Sequence, residues 1–187
     1  MDANDGNISV KISENQILCT PTGVSKGFME ETGLVKADLW GNALEGEGKP
    51  STEIKMHAMV YRENPDVRAV VHAHPKTATA FAVAGIPLDK PILTEAVVLL
   101  GPIPLAPYAV PGTEEVPKSI EPFCRDYNGA LLANHGALTW GEDLTKAWFL
   151  MEAMEHYAEI LYKTLYGIGR ANELTVEQVN KLLELYG

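Results

Sequence analysis

The chain of 187 residues is 46% hydrophobic and 21% charged, which predicts one globular domain spanning residues 1–187 and excludes a disordered chain. A formal net charge of −10 excludes non-specific nucleic-acid binding, because that activity needs a basic surface to displace phosphate counterions. Two cysteines, Cys19 and Cys124, are too few for a disulfide framework and are expected to be buried free thiols. Without a membrane-length apolar run or a signal-peptide pattern at the N-terminus, the sequence predicts a cytoplasmic protein with no membrane partner.

The N-terminal quarter predicts a strand hairpin followed by a long loop. Residues 8–12 alternate apolar and polar side chains, as a half-buried strand does, and residues 16–20 supply the partner strand across a turn at 13–15. Residues 35–40 are a candidate third strand. The Gly- and Glu-rich stretch 40–52 is the longest predicted loop.

The remaining predicted elements alternate between helices and strands. A helix over 52–64, with Ser51 or Thr52 as its N-cap, ends where Pro65 disfavours helical geometry in the preceding residue. The order of elements indicates a mixed α/β domain. The pattern further predicts strands over 69–74, 97–103 and 130–135, and helices over 77–84, 144–166 and 176–185, the last capped by Thr175.

The strongest chemical signal is the pair of histidines at positions 72 and 74. On a strand, residues i and i+2 face the same side, so the imidazoles of His72 and His74 project together. A third histidine, His135, ends another predicted strand, and three imidazoles with one further position are typical of catalytic zinc. The alternative is that His72 and His74 are strand-end residues bonded to backbone carbonyls. His57 and His156 lie in helical patterns and are interpreted as structural.

Three loops have the composition of an anion-binding site. Glycines allow close approach, hydroxyls and amides donate hydrogen bonds, and a helix N-terminus adds positive potential that an acidic chain needs for an anion. Each loop alone is also a common turn sequence. Glu53, which follows two hydroxyl residues, is either a charge partner of the helix N-terminus or a metal ligand and general acid/base. The loop residues concerned are Gly6, Asn7, Thr22, Gly23, Ser51 and Thr52.

Taken in order, these motifs resemble those of the class II aldolase/adducin family. The resemblance covers essentially the whole chain and is carried by residues 6–9, 20–23, 49–53, 71–74 and 133–136. It implies a three-layer α/β/α sandwich around a central mixed, mainly antiparallel sheet, and a homotetramer with active sites between subunits. Family members usually have a further N-terminal helix before the first motif, and here that helix is expected to be missing, either because the protein lacks it or because the start of the sequence is trimmed or misassigned.

The same resemblance implies roles for particular residues. Zn²⁺ would be held by His72, His74 and His135, with Glu53 as the fourth ligand and catalytic acid/base, and the six loop residues named above would bind a substrate phosphate. Tyr108 resembles a tyrosine that enters a neighbouring subunit's site and transfers the proton of the aldehyde oxygen. Packing in the core is the alternative for Tyr108.

The predicted activity is zinc-dependent cleavage of a ketose 1-phosphate, of the fuculose 1-phosphate kind, to dihydroxyacetone phosphate and a short aldehyde. Glu rather than Asp at position 53 favours aldol cleavage over epimerisation. Cleavage or dehydration of methylthioribulose 1-phosphate and 4-epimerisation of ribulose phosphate remain alternatives, because the same site serves all of them. A non-enzymatic, adducin-like interaction domain would be expected to lack the three histidines.

Overall fold

The computed structural model describes residues 5–187; residues 1–4, part of the segment without a signal-peptide pattern, lie outside the described range. An eight-stranded sheet runs through the molecule in the order β4–β3–β2–β1–β5–β8–β7–β6. All neighbouring strands pair antiparallel except β6 and β7, which are parallel. The strands are β1 (Asn7–Ser13), β2 (Gln16–Cys19), β3 (Val35–Asp38), β4 (Ala43–Glu45), β5 (Ala69–Ala73), β6 (Leu105–Ala106), β7 (Gly129–Leu132) and β8 (Gly136–Gly141).

Helices cover the sheet on both faces. The apolar core is split into two clusters because successive residues of a strand face opposite sides. Val70 of β5 belongs to the cluster under α1 and α3, and Val71 belongs to the cluster under α2 and α4. The predicted three-layer α/β/α sandwich with a mixed, mainly antiparallel sheet is therefore confirmed. The helices are α1 (Ile54–Glu63), α2 (Lys76–Ala84), α3 (Glu115–Ile120), α4 (Leu144–Tyr162) and α5 (Val176–Tyr186).

The predicted strand over 97–103 is wrong. Residues Ala96–Leu100 form a π-helical turn, which ends at Gly101 with φ 69°. An apolar run without alternation does not distinguish a buried helix from a buried strand, and here the helix forms. The long predicted helix also ends earlier than expected, at Tyr162, and a π-helical turn at Lys163–Ile168 follows it.

The predicted N-cap of α1 is also wrong. Glu53 occupies the cap position in helical geometry, and no side chain accepts a capping hydrogen bond there. The Ser51 hydroxyl instead accepts hydrogen bonds from the Glu53 backbone N–H and from the Asn7 side chain, at 3.3 and 3.2 Å. Ser51 therefore connects the start of α1 to the start of β1.

The predicted cap of α5 and the predicted state of the two cysteines are borne out. Thr175 caps α5 through a reciprocal capping box with Gln178. Cys19 and Cys124 are buried and free, and burial raises the pKa of their thiols to about 11 and about 12. No helix within residues 5–187 is long and apolar enough to cross a membrane.

Candidate metal site

Three imidazoles converge at one end of the central strands. His72 is the fourth residue of β5, His74 follows that strand, and His135 lies in the turn between β7 and β8. Their ring centroids are 4.8 to 5.0 Å apart. One nitrogen from each ring lies within 4.8 Å of the others. The structure thus brings together the three histidines that the sequence selected as metal ligands.

The turn before β8 positions His135 next to the other two histidines. Asn134 has a left-handed conformation with φ 58°, which its short polar side chain tolerates, and the chain therefore reverses within three residues. The His135 N–H donates to the Leu132 carbonyl at 3.0 Å. At Gly136, an added Cβ would lie 2.5 Å from His74 Cδ2 and 2.8 Å from the Ala73 carbonyl oxygen. Only glycine allows β8 to approach the histidines this closely.

The donor set fits a divalent metal ion. His72 Nδ1 lies 2.9 Å from the Ala137 carbonyl, so it carries the proton and leaves Nε2 with a free lone pair. The His72 and His74 Nε2 atoms are 3.2 Å apart. Two ligands of a tetrahedral zinc with bonds of about 2.0–2.1 Å are separated by about 3.3 Å, which matches this spacing. Burial lowers the pKa of His72 to about 4, which keeps it in the neutral form that binds metals.

Glu53 faces the histidines from the other side. Its two carboxylate oxygens lie 3.0 Å from His135 Nε2 and 3.5 Å from His72 Nε2, and Asn7 Nδ2 donates to it at 2.7 Å. Burial alone would raise the Glu53 pKa, but the hydrogen bond from His135, the charges of His72 and His135 and the Asn7 amide hold it at about 2. Glu53 is therefore an ionised carboxylate in direct contact with two of the three imidazoles.

The three loops with anion-binding composition meet beside this cluster. The Thr22 N–H donates to the Lys49 carbonyl at 2.9 Å, and Pro21 and Pro50 form a β-bridge, so the second and third loops are adjacent. The contact between Asn7 and Ser51 joins the first loop to the third. Thr22, Gly23 and Thr52 are exposed, and Gly6 and Gly23 have φ values of 77° and 72°.

Tyr108 is not part of this assembly within one chain. Its side chain is 62% exposed, which excludes the alternative of core packing. Among the described residues, no hydrogen bond or ion pair joins it to the histidines.

His57 is fully buried in α1, as its structural interpretation requires, whereas His156 is exposed on α4.

A cavity of about 590 Å³ adjoins the histidines on the α4 side. Two of its lining residues, Asp5 and Lys26, were not predicted as site residues. Asp5 Oδ2 lies 3.6 Å from His74 Nδ1, and its position before Gly6 in the first loop was an available signal. Burial lowers the Lys26 pKa, while the charges of Asp5 and Glu53 raise it. No motif in the sequence singled out Lys26.

The sandwich fold and the three-histidine centre define a metal-dependent enzyme of the aldolase type. Residues 1–162 match the family model described as the class II aldolase and adducin N-terminal domain. The chain belongs to the class II aldolase and adducin family. Its histidine cluster and its aldolase relatives make it a metal-dependent lyase.

Relatives with different activities are similarly close to this chain. The 3-oxo-tetronate 4-phosphate decarboxylase of Pectobacterium atrosepticum is 31% identical over 95% of this chain and 82% of its own length. The L-fuculose phosphate aldolase of Methanococcus maripaludis is 35% identical over 84% of this chain and 83% of its own length. A solved L-fuculose 1-phosphate aldolase superposes with a TM-score of 0.91 at 30% identity, covering 100% of this chain and 87% of that one.

Proposed function

We propose that this protein is a zinc-dependent aldolase that cleaves a ketose 1-phosphate of the fuculose 1-phosphate kind to dihydroxyacetone phosphate and a short aldehyde. The observation that carries the proposal is the convergence of His72, His74 and His135 opposite the ionised Glu53. The loop that leads into Glu53 contains Ser51 and Thr52, so a phosphate held there would lie next to the reacting carbons. The relatives named as fuculose phosphate aldolases add support.

The chain's own groups can carry out the proton transfers of this reaction. Zn²⁺ held by the three imidazoles would supply positive charge that polarises the substrate carbonyl. In cleavage, the hydroxyl on C4 loses its proton, the C3–C4 bond breaks, and the electron pair remains on C3. Glu53, ionised at rest, receives the proton that leaves the C4 hydroxyl and delivers it to C3. Gly6, Asn7, Thr22, Gly23, Ser51 and Thr52 would orient the phosphate and so fix which carbon faces Glu53.

Decarboxylation of a 3-oxo acid phosphate is the second candidate. It is favoured by the similarity to 3-oxo-tetronate 4-phosphate decarboxylase, which extends over 95% of this chain. The chemistry is closely related, because a C–C bond next to a polarised carbonyl again breaks and leaves its electron pair on carbon. The departing fragment is carbon dioxide instead of an aldehyde, and Glu53 would protonate the carbon in both cases.

A substrate panel with product identification separates these activities. The zinc-loaded protein would be given fuculose 1-phosphate, rhamnulose 1-phosphate, methylthioribulose 1-phosphate, ribulose 5-phosphate and 3-oxo-tetronate 4-phosphate. Aldol cleavage releases dihydroxyacetone phosphate from a ketose 1-phosphate, dehydration releases water, epimerisation inverts one carbon, and decarboxylation releases carbon dioxide. Release of carbon dioxide alone, with no dihydroxyacetone phosphate above a His72→Ala control, would replace the aldolase proposal with the decarboxylase.

The ligand roles are tested by substitutions that separate metal binding from turnover. His135→Ala should remove zinc and activity together, whereas His156→Ala, which removes an exposed histidine that lines the adjoining cavity but lies outside the cluster, should retain zinc. Glu53→Gln should lose turnover, because its amide cannot accept and return the proton, and should bind phosphate at least as tightly as the parent. Tight zinc binding in His135→Ala, measured by metal analysis after dialysis, would refute the ligand assignment.

We further propose a homotetramer in which Tyr108 acts in a neighbouring subunit's site. Its exposure leaves it available to a second chain. Subunits carrying His72→Ala and subunits carrying Tyr108→Phe should each be inactive, and mixed tetramers should regain activity, because some sites then combine two intact contributions. Mixing His72→Ala with Glu53→Gln is the matched control: both residues belong to the same chain's half of the site, so no site is repaired. A monomer in light scattering would contradict the tetramer.

A further inference from the structure

The Asn7 side chain joins the proposed phosphate loop to the proposed acid/base. Its amide nitrogen donates to Ser51 Oγ at 3.2 Å and to Glu53 Oε2 at 2.7 Å. A primary amide nitrogen has two hydrogens, so these two contacts use both of them. The opposite orientation of the amide is unfavourable, because it would place Asn7 Oδ1 against the Glu53 carboxylate.

The bridge lies in a buried part of the site. Asn7 is only 4% exposed, and its Oδ1 is a buried acceptor with no partner within residues 5–187. Ser51 Oγ accepts from Asn7 and from the Glu53 backbone N–H, so its own hydroxyl hydrogen remains for another acceptor. A phosphate that accepts this hydrogen lies next to the Asn7 amide.

We infer that Asn7 couples occupancy of the phosphate site to the position of the Glu53 carboxylate. The inference rests on the proposed function, since it takes Ser51 as a phosphate contact. A phosphate oxygen would compete with the Glu53 carboxylate for the amide hydrogen that Asn7 now directs at Oε2. When phosphate takes that hydrogen, Glu53 loses its hydrogen bond at Oε2 and becomes free to rotate from His72 towards the substrate carbon.

The helix that carries Glu53 is held in place during this exchange. One turn deeper in α1, His57 Nδ1 lies 2.8 Å from Ser9 Oγ, and Tyr61 donates to the Ser9 carbonyl at 2.9 Å. Asn7 and Ser9 point to the same face of β1, while Glu53, His57 and Tyr61 follow the i, i+4 spacing of one helix face. These buried contacts fix α1 against β1, so the motion of Glu53 is a side-chain rotation.

Because phosphate and the Glu53 carboxylate compete for one donor, each weakens the hydrogen bond of the other to Asn7. The effect has the same size in both directions. A substrate that lacks the phosphate therefore leaves Glu53 held by Asn7 and turns over poorly even when it reaches the site. Asn7 is in this sense a positioning residue, which acts through Glu53, besides its proposed contact with phosphate.

A double-mutant cycle with inorganic phosphate tests the coupling without relying on activity. Titration calorimetry would measure phosphate affinity of the full chain stripped of metal, so that phosphate cannot bind the metal directly, and would be repeated with zinc. Glu53→Gln should bind phosphate about five- to tenfold more tightly than the parent, because the carboxylate that competes for the Asn7 hydrogen is gone together with its charge. In an Asn7→Leu background only the general charge repulsion is removed, so the gain in affinity should be at least about threefold smaller. Asn7→Ser repeats the cycle if the Leu variant does not fold, as judged by circular dichroism.

Thr22→Val provides the matched cycle. Thr22 belongs to the proposed phosphate site, but within residues 5–187 no hydrogen bond joins it to Glu53, so its effect should add to that of Glu53→Gln. If the parent binds phosphate and the effects of Asn7→Leu and Glu53→Gln on phosphate affinity are additive, the coupling is refuted but the phosphate site is not. Absence of phosphate binding by the parent would overturn the phosphate site and the coupling together.

Discussion

His57 should make the metal-free protein lose stability in mild acid. Its side chain is fully buried in α1, with Nδ1 at 2.8 Å from Ser9 Oγ and with no partner for Nε2 among residues 5–187. Burial and, to a smaller extent, the charge of His72 lower the pKa of His57 to about 3, against the opposing effect of Glu53. The ring is therefore neutral in the folded protein throughout the mildly acidic range.

The sign and the size of the effect follow from proton linkage. The unfolded chain binds a proton at His57 near pH 6.5 and the folded chain only near pH 3, so the unfolded state binds more protons between these values. The stabilisation is complete above pH 6.5 and is lost progressively as the pH falls towards 3. Lowering the pH from 7 to 5 should decrease the free energy of unfolding by about 2 kcal/mol through this one group.

Denaturant unfolding of the metal-free protein at pH 7 and pH 5 measures this loss. The parent should lose about 2 kcal/mol more than a His57→Gln variant over this interval. His156→Gln is the matched control, because His156 is exposed and its replacement should leave the parent's loss unchanged. His72 titrates in all three proteins and cancels from the comparison. Equal losses in the parent and in His57→Gln would refute the neutral, buried state of His57.

Two other substitutions test local packing, each against a matched control. Gly136→Ala places a methyl group 2.5 Å from His74 Cδ2. This substitution should lower the free energy of unfolding by about 1–3 kcal/mol and the zinc affinity by about tenfold or more. Gly167→Ala is the control and should change neither quantity, because the space at its Cβ is open. Calorimetric zinc titration decides the point, and parental zinc affinity in Gly136→Ala would contradict it. Glu155 accepts hydrogen bonds from the first N–H groups of α2, so Glu155→Gln should lower the free energy of unfolding by about 1–2 kcal/mol in urea denaturation. Glu152→Gln on the same helix should change it little, and equal effects of the two substitutions would disprove this role of Glu155.

The histidine cluster was predictable because its geometry is largely local. His72 and His74 share one face through the two-residue repeat of a strand, and the sequence order places His135 at the end of another buried strand. The carbonyl of Ala137, which sets the His72 tautomer, was not predictable, because it depends on the register between β5 and β8. Lys26 was missed for a related reason: its proximity to Glu53 comes from the path of a loop.

Errors in the predicted elements came mainly from glycine and from short apolar runs. The strand predicted over 130–135 ends earlier, at Leu132, and Gly136 begins a further strand, β8, where its missing side chain allows the close contact with His74. The run at 97–103 satisfied a strand pattern and a helix pattern equally, and the tertiary contacts selected the helix. The strand β4 was hidden because all three of its residues, Ala43–Glu45, are exposed and show no burial pattern.

The contacts between β1 and α1 explain how Glu53, which lies in a loop at the start of α1, can be held in a fixed position. The pair Asn7 and Glu53 lies at the cluster, and Ser9 with His57 lies one helical turn deeper in the core. The outer contact involves the groups that would move in the proposed reaction, whereas the inner contact is fully buried and costly to break without replacing its hydrogen bonds. Because both contacts join the same two elements, the rigidity of the inner pair limits the freedom of the outer pair to rotation about side-chain bonds. Glu53 can then exchange partners within the site while its backbone stays fixed relative to the three imidazoles.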